Sequence, residues 1–255
     1  MLEVRALRKS FGGLTAIKSA SFHVAPKEIC SIVGPNGAGK TTLINLITGV
    51  YGPDSGDVLF QGRRLTGLRP NQVVSQGIGR TFQNVRVFGN MNVLENVMTG
   101  SHRLLHASLL DIILSLPRAR SEDSMTREKS LRALEVVGLA GRDQQPAGSL
   151  PLGMQRLLEL ARALVSEPSL LLLDEPASGL NDAETAALGR LLRRIRDKGV
   201  TILLIEHNMP LVMGISDRIV VLNYGEKIAE GTPPEIRSNP AVIAAYLGVE
   251  AVAHD

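Results

Sequence analysis

The stretch "CSIVGPNGAGKTTLINLITG", residues 30–49, decides how the chain is read. An apolar run ends at Val33, and "GPNGAGKTT" (34–42) then fits the pattern G-x-x-x-x-G-K-[ST]. "TTLINLITG" opens a helix directly behind it, so the motif sits between a strand and a helix, the context it requires. Its glycines, Gly34, Gly37 and Gly39, let backbone N–H groups converge on phosphate oxygens. The helix start adds partial positive charge. Pro35, Asn36, Ala38 and Thr42 complete the cradle. Lys40 is placed to reach β- and γ-phosphates, and the Thr41 hydroxyl to bind Mg²⁺. A chance glycine-rich turn is the alternative, but strand, helix, Lys40 and Thr41 all stand where the motif needs them.

Working outward, three short apolar runs read as strands buried on both faces: "EICSIVG" (28–34), "SLLLLDEP" (169–176) and "GVTILLIEH" (199–207). Between the last two lies "ETAALGRLLRRIRDKG". Its Leu188, Leu191, Leu192 and Ile195 recur at helical spacing, and Gly199 closes it. Strand, helix, strand predicts an α/β sheet. Other segments predict antiparallel pairing. "GDVLFQGRRL" turns around Gln61 and Gly62, "DRIVVLNYGEKIAEG" turns around 223–226, and "LEVRALRKSF" can pair with "AIKSASFHVA". Residues ~90–165 read as mostly helical. The apolar run 109–116 is expected to pack in the core, and the mixed charges after it predict a solvated helix face.

Composition sets the outer limits. The 255 residues are 44% hydrophobic, enough for a sizeable core, and the net charge of +3 is too small to argue for nucleic acid. Tryptophan is absent and aromatics are few, which argues against base-stacking platforms. Cys30, the single cysteine, reads as a buried strand thiol. "MLEVRALRKSFGG" lacks the apolar core of a secretory signal, and no window reaches the ~18–20 apolar residues of a membrane span. The expectation is an intracellular chain, soluble on its own but free to dock on a membrane protein.

The chemistry gathers at strand ends. Asp174 closes "LLLLD", where it can hold Mg²⁺ through water. The alternative is a helix cap after a strand. Glu175 follows it, where a carboxylate can orient and deprotonate an attacking water. An acidic pair at this place points to hydrolysis. His207 ends another strand of the same sheet and faces the same crevice, so it can hydrogen-bond a γ-phosphate or serve structurally. Gln83 in "GRTFQN" offers an amide for Mg²⁺ or water.

Taken together these motifs resemble the nucleotide-binding subunit of an ABC transporter across essentially the whole chain. "VGPNGAGKTT" is similar to the family's Walker A motif, "TFQN" to its Q-loop, "LLLLDEP" to Walker B, "SGLN" to the D-loop and "IEH" to the switch histidine. The resemblance implies a P-loop NTPase core with an antiparallel β-subdomain and a helical subdomain. All of 1–255 is one such domain, with the core in 1–83 and 169–255 and the helices in 84–168. It implies ATP and Mg²⁺ as ligands, Lys40, Glu175 and His207 as catalytic groups, and Thr41, Gln83 and Asp174 around the metal. Phe11 stands where the family stacks an aromatic on adenine. "GIGRTFQNVRVFGNMNVLENV", "EHNMPLVMGISDRIVVLNYGEKIAEGTP" and "NPAVIAAYLG" resemble the ATPases of branched-chain amino acid importers. Relatives for urea, amides or lipopolysaccharide share much of that pattern.

"LPLGM" (150–154) occupies the signature position, where the family usually has L-S-G-G-Q. Pro151 replaces the serine, Leu152 a glycine and Met154 the glutamine; Gly153 remains to contact the nucleotide held by the other subunit. Proline suits a first helical turn, so the helix is expected to persist. Asn181 replaces the usual aspartate of the D-loop. The resemblance implies transmembrane permease subunits, a second ATP-binding subunit (a different chain, or a second copy), and an indirect link to an external solute-binding protein. It places the chain on the cytoplasmic face of the inner membrane. The altered signature predicts two composite sites of unequal activity. A non-transport ABC-type ATPase would carry tandem cassettes or a coiled-coil insertion, and a small-molecule P-loop kinase would not need Glu175 or a signature helix.

Overall fold

A computed structural model of the chain describes residues 1–81, 86–104 and 117–252; Gln83 and the apolar run 109–116 lie outside them. Ten strands form one sheet in the order β5-β4-β1-β2-β10-β9-β3-β8-β7-β6. Its parallel centre holds β3 (Ile29–Val33), β6 (Ile78–Arg80), β7 (Leu170–Asp174) and β8 (Thr201–Ile205). The antiparallel flank holds β1 (Leu2–Phe11), β2 (Leu14–Val24), β4 (Ser55–Phe60) and β5 (Arg63–Arg64). β9 (Arg218–Asn223) runs parallel to β3 and antiparallel to β10 (Glu226–Gly231), and β10 meets β2 at Glu226 and Ser19. The hairpin expected at 217–231 is therefore also the seam between the two halves. Both hairpins turn on two residues of positive φ, Gln61 with Gly62 and Tyr224 with Gly225, which suits the right-handed twist of the strands. β6 was not anticipated: three residues carry too little periodicity to register.

Leucines and isoleucines cover both faces of the central strands. Leu170 and Leu172 of β7, with Leu203 and Ile205 of β8, face one core together with α1 (Lys40–Ile47) and the antiparallel strands. Leu171, Leu173, Ile202 and Leu204 face the other. That second core is built by α3 (Val93–Met98), α4 (Pro117–Val137), α5 (Leu152–Leu164), α6 (Asp182–Asp197) and α7 (Met209–Ile215). The two-residue alternation with no polar face is what a parallel strand between two helical layers demands. Between β6 and β7 every described element is helical, and one continuous apolar cluster joins these helices to β3, β7 and β8. The mixed-charge stretch is α4. It buries Thr126, Ser130, Ala133, Leu134 and Val137 along one stripe and turns charges such as Glu128 and Arg132 to solvent. A short α2 (Pro70–Ser75) precedes β6, and α8 (Pro233–Arg237) and α9 (Pro240–Val252) follow β10. No described helix is long and apolar enough to cross a membrane.

Candidate functional site

Strand register brings the chemistry together. Ile205 pairs with Ile32 of β3 on one side and Asp174 of β7 on the other, so three parallel strands end at one edge of the sheet. The phosphate-binding loop leaves β3 there, Glu175 leaves β7 and His207 leaves β8. Such an edge is where open α/β sheets bind ligands.

The loop is built from close backbone approaches. Gly34 has φ +155°, and a Cβ there would lie 2.1 Å from the Leu222 carbonyl oxygen. Gly39, at φ +100°, caps α1, and its Cβ would lie 2.7 Å from the Ala16 carbonyl. No side chain caps α1, so the N–H groups of its first turn, at Lys40, Thr41 and Thr42, point out of the helix start. Lys40 is buried, and its ammonium donates to the carbonyls of Gly34 (2.6 Å) and Pro35 (2.9 Å). Burial pulls its pKa down, while the nearby carboxylates of Glu175 and Asp174 oppose that shift.

Asp174 is the last residue of β7, and α6 starts only at Asp182 behind an Asn181 cap, so Asp174 is not a helix cap. Its Oδ1 is buried without a hydrogen-bond partner, and its Oδ2 lies 3.8 Å from the Arg80 guanidinium. Burial raises the carboxyl pKa, Arg80 works against the rise, and Glu175 adds to it. An orphaned buried carboxylate oxygen beside a phosphate-binding loop fits a hard cation held jointly with phosphate. Among the described residues no group of three or more His, Cys, Asp or Glu could hold a metal by itself.

Glu175 adopts φ +50°, and its N–H donates to the Ile205 carbonyl at 2.9 Å. Its Oε2 lies 3.7 Å from Nδ1 of His207, whose ring is largely exposed. Lys40, Asp174, Glu175 and His207 thus form one cluster. Phe11 ends β1 on the antiparallel flank, half exposed, with its ring edge-to-face against Tyr51 at 5.1 Å and the Lys9 ammonium 5.4 Å from its centre.

Gly153 stands apart from that cluster. A side chain there would meet Glu184 Oε1 at 2.9 Å and Leu180 at 3.5 Å. Pro151 is one residue earlier than a first-turn position: it is the N-cap of α5, with no side-chain cap bond. The N–H groups of Leu152, Gly153 and Met154 therefore precede the first intrahelical bond, from Gln155 N–H to the Pro151 carbonyl (3.0 Å). Asn181 forms a capping box with Glu184, a task its amide performs as well as an aspartate would. Two residues were missed. Arg80 donates to Asn45 of α1 and to Thr48 just after it, while facing Asp174. Glu206 is fully buried, and its signal in the sequence was a carboxylate inside an apolar strand.

The ABC transporter family model matches residues 17–178, and a model for the branched-chain amino acid ATP-binding cassette transporter matches 226–252. The chain belongs to the ABC transporter family. It is an ATPase of that family, and the nucleotide-binding fold expected from the motifs stands. The high-affinity branched-chain amino acid transport ATP-binding protein LivG of Escherichia coli (strain K12) is 46% identical over 249 residues, covering 97% of this chain and 98% of LivG. BraF of Pseudomonas aeruginosa, which carries the same description, is 45% identical over 249 residues, with the same coverage of both chains. Among solved structures, the ADP conformation of MJ1267, an ATP-binding cassette of an ABC transporter, superposes with a TM-score of 0.85 at 32% identity. The match covers 97% of this chain and 98% of that one.

Proposed function

We propose that this ABC ATPase powers a membrane importer for branched-chain amino acids from the cytoplasmic face of the inner membrane. The observation that carries the reading is the convergence of Lys40, Asp174, Glu175 and His207 on one sheet edge in a chain of this family. The loop from Gly34 to Thr42 holds the ATP phosphates, Lys40 neutralises the β- and γ-groups, and Phe11 stacks on the base. Thr41, Asp174 through water, and Gln83 are the proposed ligands of Mg²⁺. When bound, the ion draws charge from the phosphate oxygens.

Glu175 orients a water on the γ-phosphorus and takes its proton. The new P–O bond forms as the bond to the bridging oxygen breaks, and ADP leaves. His207 hydrogen-bonds the γ-phosphate and so reports its presence. A second ATP-binding subunit, most naturally a different chain, supplies the signature helix for this site, and "LPLGM" serves the partner's nucleotide. The helices of 84–168 act as a subdomain that carries this signature. Permease subunits span the membrane, an external solute-binding protein delivers the cargo, and no nucleic acid takes part.

The test assembles the chain with its permeases, partner ATPase and binding protein in vesicles. Labelled leucine, valine and isoleucine should enter only with ATP on the cassette side. Uptake of urea or amides in their place would overturn the cargo assignment, and absence of ATP-driven uptake would overturn the transport role.

A further inference from the structure

Glu206 has no part in the chemistry just described, yet its buried carboxylate accepts three backbone hydrogen bonds beside it. The residue follows β8 and is 0% exposed. Oε1 accepts from the Ala177 N–H at 2.8 Å, and Oε2 accepts from the N–H groups of His207 (3.0 Å) and Asn208 (3.1 Å). An apolar side chain would pack at such a strand end with no desolvation cost, as Ile205 does one residue earlier. Three backbone donors from two separate loops are what make the carboxylate tolerable there.

Those two loops carry the acting groups. Ala177 lies two residues beyond Glu175, in the turn that leads to Asn181. His207 and Asn208 open the other loop, and Asn208 caps α7 through the Leu211 N–H. The Glu175 N–H bonds the Ile205 carbonyl at 2.9 Å, which also ties the ends of β7 and β8. The His207 ring meets the Glu175 carboxylate at 3.7 Å.

We propose that Glu206 is a positioning residue for ATP hydrolysis: its buried carboxylate braces the His207 loop against the Glu175 loop, so that both side chains address one γ-phosphate. The inference rests on the proposed roles of Glu175 and His207. Charge-assisted bonds to backbone N–H are directional and strong, so the brace fixes geometry rather than charge at the reacting atoms. A glutamine at 206 would turn an N–H₂ toward one set of donors and release one loop. An aspartate would keep the charge but, one methylene shorter, would not span both loops.

The experiment uses the full-length chain assembled with its partner subunits. Glu206→Gln should lower kcat roughly tenfold, the loss expected when one loop is freed, while KM and the affinity for a fluorescent ATP analogue stay within about twofold. Glu206→Asp should show the same split and serves if the glutamine variant fails to fold. In a His207→Ala background, Glu206→Gln should cost clearly less than in the wild type, because the histidine that the brace helps to place is already gone. Wild-type kcat in both Glu206 variants, or losses that multiply in the double variant, would overturn the inference while leaving the site as described. Full turnover in His207→Ala alone would overturn the reading of the site and the inference with it.

Discussion

Replacing Pro151 by serine tests whether "LPLGM" weakens the site that it faces. Pro151 is the N-cap of α5 and makes no cap bond. A serine there gains a cap worth about 1 kcal/mol. It also returns about 0.4–1 kcal/mol of backbone freedom to the unfolded chain, so the net change is close to zero and the melting point should hardly move. Leu152→Gly removes a half-exposed side chain and costs about 1 kcal/mol, or ~2–4 °C in a chain of this size. Activity should change in the opposite direction to stability. A serine hydroxyl at the helix start can donate to a phosphate oxygen, and a hydrogen bond to a charged group is worth about 1.5–3 kcal/mol, roughly 10- to 150-fold in rate if formed in the transition state. The assay places Pro151→Ser with Leu152→Gly in a complex whose own site is silenced by Glu175→Gln. The remaining turnover then comes from the partner's nucleotide, facing the altered helix. An unchanged rate would mean that "LPLGM" is a tolerated variant of a symmetric pair.

Phe11→Ala should weaken ATP and GTP binding alike, by about 5- to 150-fold for a stacking loss of 1–3 kcal/mol, and Phe11→Tyr should not; equal affinities in all three proteins would make Phe11 a packing partner of Tyr51. Cys30 is fully buried, and desolvation, reinforced by Glu28, pushes its thiol up to about 12. A maleimide at pH 8 should therefore leave the native enzyme unlabelled and active but react at once in denaturant. Because an unfolded thiol ionises near ~8.5, the raised folded value stabilises the native state fully below that pH, and the contribution is lost as pH rises toward 12; a Cys30→Ala variant should lose less stability across that window.

Much of this was legible because the informative features are local. The phosphate-binding loop needs glycine where backbones approach within contact, and Gly34 and Gly39 meet the Leu222 and Ala16 carbonyls. The buried strands announced themselves by apolar runs without alternation, and the pairing of β7 with β8 followed from the helix between them. Legibility stopped where meaning depends on a distant partner. Arg80 looks ordinary until Asn45, Thr48 and Asp174 surround it. Glu206 reads as an odd charge in a strand until Ala177 is seen to donate to it across 29 residues. Pro151 was placed one residue too far into α5, because a cap is defined by backbone geometry that proline satisfies either way.

The proposed hydrolysis turns on Glu175 acting as the general base of an ATP site on the edge formed by β3, β7 and β8. The most direct measurement compares Glu175→Gln with the wild type in the assembled complex, reading single-turnover hydrolysis at the site built on Lys40 together with retained nucleotide. Hydrolysis should slow about 10²–10⁴-fold, with ATP still bound and the two cassettes held together. Near wild-type hydrolysis, or loss of ATP binding along with turnover, would contradict that role.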